Sequence, residues 1–71
     1  MRYEAIVELL DYATGHERSV RITTSENQEV VGIPTSVDRD PDALEVFLHP
    51  IGDEDTEIAV SLTHIRRVEI A

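Results

Sequence analysis

Glu29-Val30-Val31-Gly32-Ile33-Pro34-Thr35-Ser36-Val37 reads as a strand that cannot lie flat. Its valines and isoleucine favour extended backbone, yet Gly32 has no side chain to pack and Pro34 has no N–H for a ladder. Gly32 therefore predicts a sharp bend or bulge, and Pro34 a position where the missing donor costs nothing. In a short chain rich in strand patterns, a bent second strand favours a small open barrel over a flat sheet.

Before this stretch the hydrophobic period changes once. Tyr3, Ile6, Leu9, Leu10 and Ala13 follow the spacing of one helical face, Val7 widens the stripe, and Glu4, Glu8 and Asp11 point away. Glu4 also suits the positive end of a helix over residues 3–13, and Gly15 offers a left-handed residue to end it. From Ser19 to Thr24 the period is two, with Val20 and Ile22 against Arg21 and Thr23. Ser25–Gln28 is a polar turn, and Asp38-Arg39-Asp40-Pro41-Asp42 a loop. Leu44, Val46 and Leu48 then alternate with Glu45, Phe47 and His49 in a third strand. After the acidic loop Pro50–Asp55, Ile58, Val60 and Leu62 mark a fourth strand, and Val68 and Ile70 a short fifth after Arg66-Arg67.

The expected architecture is mostly β: one domain over residues 1–71, with an N-terminal helix packed on a five-stranded antiparallel open barrel and strand two kinked at Gly32. Leu9, Leu10, Ile22, Val31, Leu44, Val46, Leu48, Val60 and Leu62 should be buried together. No cysteine is present, so neither disulfides nor a thiolate metal site can reinforce this core. Apolar runs are too short to span a bilayer. Met1-Arg2-Tyr3-Glu4 leads into a mixed-charge amphipathic segment rather than a secretory leader, so a cytoplasmic location is expected, with no membrane partner.

Six arginines, no lysine and fifteen acids in 71 residues give a formal charge of -9. A phosphate backbone would be repelled by most of such a surface, whereas a basic protein patch would be attracted. Salt adaptation produces the same acid-rich, lysine-free composition. In that case the charge serves solvation, because at 1 M salt the Debye length is only ~3 Å.

The chemical constellations point away from catalysis. Asp38, Asp40 and Asp42 have the spacing that opens a calcium loop, but that loop needs glycine next and a glutamate at its twelfth position, where Ala43 and His49 stand. Asp53, Glu54, Asp55 and Glu57 form a charged loop with nothing apolar nearby to raise a carboxyl pKa. His16, His49 and His64 do not supply the converging ligands of a zinc site. Ser19, Ser25, Ser36 and Ser61 have no histidine at the spacing of a nucleophile and its base, and no glycine-rich phosphate loop is present. A non-enzyme without metal or cofactor is expected.

Taken in order, the helix, Val20-Arg21-Ile22, a polar turn, Val30-Val31-Gly32-Ile33, Val37-Asp38, Leu44 to Leu48 and Ile58 to Ile70 resemble the Sm-like fold. Glycine in the bent strand with Asp38 six residues later is similar to that family's first signature. The chain departs from it at Ala43–Glu45, where the family places a uridine-contacting asparagine, and at Arg66-Arg67, where the second signature has Arg-Gly. The resemblance thus implies the fold and not the base contacts.

Length, acidity, element order and the run Ile58-Ala59-Val60-Ser61-Leu62-Thr63-His64-Ile65 also resemble the Rho-binding antiterminators, small acidic proteins with a helix on an Sm-like barrel. That resemblance implies an acidic surface offered to the basic RNA-binding domain of the terminator helicase Rho, and hence a regulator of transcription termination. Glu8, Asp11, Asp38, Asp42 and Glu45 are the candidate contacts.

The alternative is an Sm-like RNA-binding oligomer, a ring using Arg21, Arg66 and Arg67, or a small interaction domain of another role. With only Tyr3, Tyr12 and Phe47 as aromatics, a base-stacking platform is lacking, so a monomer engaging protein is favoured over a nucleic-acid binder. Phe47 reads either as an exposed anchor or as packing beneath the helix. Arg66-Arg67 is expected to form surface ion pairs with Glu57 and Glu69, each worth little.

Overall fold

Helix α1 spans Tyr3–Gly15 in the computed structural model, which describes residues 1–71. Its apolar stripe is buried at Ile6, Val7, Leu10 and Ala13. Tyr3, at the start of the stripe, remains 42% exposed. The helix ends by a route other than the one glycine suggested. Glu17 takes the left-handed φ of 52° while Gly15 stays helical. Arg18 N–H then donates to the Ala13 carbonyl at 2.9 Å, and Glu17 N–H reaches the Thr14 carbonyl at 3.5 Å. This is a Schellman-type ending whose left-handed residue is not a glycine.

Five strands follow: β1 (Val20–Thr24), β2 (Glu29–Asp38), β3 (Glu45–His49), β4 (Ile58–Ser61) and β5 (Ile65–Ile70). They form one open antiparallel sheet in the order β4-β3-β2-β1-β5. β5 begins earlier than Val68 and β4 ends earlier than Leu62, because Leu62–His64 makes a single 3₁₀ turn between them. Leu62 is nevertheless buried, at 1% exposure. No helix is long and apolar enough to cross a membrane.

β2 joins the two halves of the sheet. Glu29 to Gly32 pair with β1, and Ile33 to Asp38 with β3. The bulge lies at Thr35, where the register with β3 shifts between Pro34 and Ser36, while Gly32 is the last residue of β2 paired with β1 before the strand turns to β3. Gly32 is needed for another reason. A Cβ there would meet the His49 carbonyl oxygen at 2.5 Å, closer than any real side chain approaches backbone. Pro34 sits beside the bulge, opposite Leu48, where its missing N–H is accommodated.

Eleven buried apolar residues form the core, drawn from α1, β1, β3, the 3₁₀ turn and β5. α1 lies against β2, β5 and the 3₁₀ turn. Leu10, Ile22, Val46, Leu48 and Leu62 occupy it as expected, while Leu9, Leu44 and Val60 are only half-buried against it. Val31 is the error in the expected core: it is 41% exposed. Val30, opposite Ile22, takes the inward phase instead, since the inward position two residues on must be the side-chain-free Gly32. Ile6, Val7, Ala13, Val20, Ile65 and Val68 complete the core.

Candidate protein-binding surface

The loop after β2 is held by its own aspartates. Asp38 Oδ1 accepts the Asp40 N–H at 2.9 Å, and Asp40 Oδ1 accepts the Asp42 N–H at 3.0 Å. These short-range bonds favour turns over regular structure. They also leave the carboxylates on the outside of the protein. Asp38 stands directly opposite Glu45 across the β2–β3 ladder. Like charges at such a pair are destabilising, by a few tenths of a kcal/mol up to ~1. Glu45 and Asp42 both line a shallow, open recess of about 500 Å³ on the outer face of β3 and β4, together with Ala59, Ser61 and Thr63.

Glu8 and Asp11 project from the exposed side of α1. With Tyr3, Val7 and Arg39 they border a second open groove of about 430 Å³. Arg39 reaches from the aspartate loop to form an ion pair with Asp11. The pairing brings the loop and the helix together, so the five candidate acids lie in two groups joined by Arg39. It also means that Asp11 is already partnered, which its place in the sequence did not indicate.

The arginines are less available than their numbers suggest. Arg21 lies opposite Glu69 on neighbouring strands and approaches its carboxylate at 3.7 Å, and Arg67 approaches the same carboxylate at 3.5 Å. One glutamate thus holds two guanidinium groups, and Glu57 plays no part in an ion pair with either. Arg66-Arg67 lies within β5 and not in a loop. Arg66 is the extra residue where the β1–β5 register slips, and its carbonyl accepts a hydrogen bond from the Met1 ammonium at 3.0 Å. Arg21 and Arg67 thus share one carboxylate at the surface.

Other singled-out residues are dispersed. His16 stacks on Tyr12 with ring centres 4.2 Å apart, His49 lies on β3 and His64 on the 3₁₀ turn. No three histidine, aspartate or glutamate side chains converge as metal ligands would. Phe47 is half-buried on the outward side of β3, opposite Ser36 and Ala59, and belongs neither to the core nor to the residues packed on it. Its outward position agrees with the alternation of β3, and packing beneath the helix is not found. The residue that sequence reasoning overlooked is Arg39. Its place between Asp38 and Asp40 was visible, but the partner 28 positions earlier (39 − 11) was not.

The chain matches no protein-family model, no curated protein and no solved structure.

Proposed function

We propose that this chain is a non-catalytic binding module whose acidic outer surface engages a basic protein partner. In this reading it is a regulator of transcription termination similar to the Rho-binding antiterminators, and it acts in the cytoplasm. The observation that carries the reading is the Asp38–Glu45 opposition. Two carboxylates face each other on adjacent strands while the nearby arginine, Arg39, is committed to Asp11. Arg21 and Arg67 are committed to Glu69. A partner's arginine or lysine set between Asp38 and Glu45 would offset the like-charge repulsion of such a pair further than the Asp40 N–H on Asp38 Oδ1 does. The helix packed on a bent, five-stranded antiparallel sheet supports the Sm-like part of the reading.

The experiment is a titration of the Rho RNA-binding domain with the unmodified protein and with Asp38→Lys/Asp42→Lys/Glu45→Lys. The triple reversal should weaken the complex by well over tenfold, mainly by slowing association, and added salt should weaken the unmodified complex. A complex unchanged by the reversals would overturn the reading. Submicromolar affinity of the unmodified protein for single-stranded RNA in ~0.1 M salt would favour an RNA-binding Sm-like role in its place.

A further inference from the structure

The two free edges of the sheet are not equivalent. On the β1–β5 ladder the Ala71 N–H donates to the Ser19 carbonyl at 3.0 Å. Antiparallel alternation then turns the backbone groups of Arg67 and Glu69 toward β1 and those of Val68 and Ile70 toward the outside. Met1 covers part of that edge, with Ile70 beyond its reach. The Val68 N–H meets Met1 Sδ at 3.3 Å, and the Met1 ammonium donates to the Arg66 carbonyl at 3.0 Å.

At the opposite edge the Leu62 N–H donates to the Leu44 carbonyl at 2.9 Å, continuing the register in which Val46 faces Val60 and Leu48 faces Ile58. The same alternation points the backbone groups of Ile58 and Val60 at β3, and those of Ala59 and Ser61 away from it. No strand pairs with that side of β4. An open groove of about 290 Å³ runs along it, bordered by all of β4 and by the turn between β1 and β2.

We propose that this edge of β4 receives an extended basic peptide segment of a partner protein, which adds a further strand to the sheet by hydrogen bonding to Ala59 and Ser61. Main-chain bonds of this kind give affinity, and alternate side chains give specificity. The surroundings select for positive charge. Asp53, Glu54, Asp55 and Glu57 lead directly into β4, Glu26 lines the far wall of the groove, and no arginine lines it. Ala59 and Ser61 also border the recess of Asp42 and Glu45, so outward side chains of the added strand would lie beside those carboxylates. A second copy of the chain is the poorer occupant. It would bring a formal charge of -9 against the same acids, and Met1 covers part of its other edge. The inference rests on the reading of the chain as a module for basic partners and supplies the main-chain half of that recognition.

The test uses the full chain and a labelled ten-residue peptide alternating arginine with valine, followed by fluorescence anisotropy in ~0.1 M salt. Ala59→Pro removes one outward N–H while leaving the bonds to β3, a substitution that edge strands tolerate. It should weaken binding at least tenfold with an unchanged circular dichroism spectrum. Independently of that variant, the peptide is N-methylated at alternate residues in its two possible phases. One phase should abolish binding to the unmodified protein, and the other should leave it intact. Equal binding by both methylated peptides, or full affinity in Ala59→Pro, overturns strand addition. If binding is indifferent to both changes but falls with Asp42→Lys/Glu45→Lys, the acidic-module reading stands and the added strand does not. Loss of self-association in Ala59→Pro, with no peptide binding by the unmodified chain, makes a second copy the occupant and also overturns the proposal.

Discussion

Gly32 and His49 approach each other so closely across β2 and β3 that a Cβ on the glycine would stand 2.5 Å from the histidine's carbonyl oxygen. The obstacle is backbone and cannot rotate away. Gly32→Ala should therefore push β3 off β2 where β2 changes partner, at a cost on the order of 3 kcal/mol. Urea denaturation followed by circular dichroism measures it, and a loss below about 1 kcal/mol would contradict this geometry.

Glu17 holds a left-handed φ of 52° at the end of α1, where glycine would carry no Cβ penalty. Glu17→Gly should raise stability by about 1 kcal/mol net, once the greater freedom of glycine in the unfolded chain is subtracted. For a chain of this size that corresponds to a rise in Tm of roughly 4–8 °C. A fall in Tm would show that the helix ending does not hold in solution.

Leu10 is fully buried at 0% exposure, whereas Val60 is only half-buried on the edge strand. Leu10→Ala should cost about 2–5 kcal/mol through lost transfer energy and a cavity. Val60→Ala should cost only about 1 kcal/mol, since part of the area it would uncover already faces water. Equal losses in paired denaturation curves would place Val60 deeper than the structure does.

Asp38→Asn removes one of the two carboxylates opposed across β2 and β3. It should stabilise the protein by about 0.5 kcal/mol at low salt. The gain should vanish near 1 M salt, where the Debye length is ~3 Å. The same variant should weaken a basic partner. Arg39→Ala offers a contrast, because its exposed ion pair with Asp11 contributes less than about 1 kcal/mol while its loss frees a carboxylate for the partner. Thermal melts at two salt concentrations distinguish the two variants.

Much of this architecture is legible in the sequence because periodicity reports local geometry. The stripe from Ile6 to Ala13 names its element and its buried side, and the alternation of Val20 with Ile22 does so for β1 except at Thr23, which the alternation sets outward and which is only 5% exposed. Adjacent apolar residues do not carry that information. Val30 and Val31 are equally good strand residues, and the phase is chosen by the close passage of Gly32 against β3, a contact that exists only after folding. The bulges at Thr35 and Arg66 depend likewise on partner strands. For the candidate surface, the acids were visible one by one. Their opposition at Asp38 and Glu45 and the reach of Arg39 to Asp11 are products of register and topology.

The pairing of β1 with β5 bears on how the molecule assembles. Val20 lies beside Ile70, so this ladder closes a loop of about 50 residues, while β2–β3 and β3–β4 join near neighbours. Such distant pairings slow folding. β5 should dock after the β2–β3–β4 meander has formed, carrying Ile65 and Val68 into the core as it arrives. Until then β1 presents a bare edge. A newly made chain thus passes through a form in which strand exchange with another molecule competes with its own closure, and crowding of identical chains during synthesis would favour the exchange.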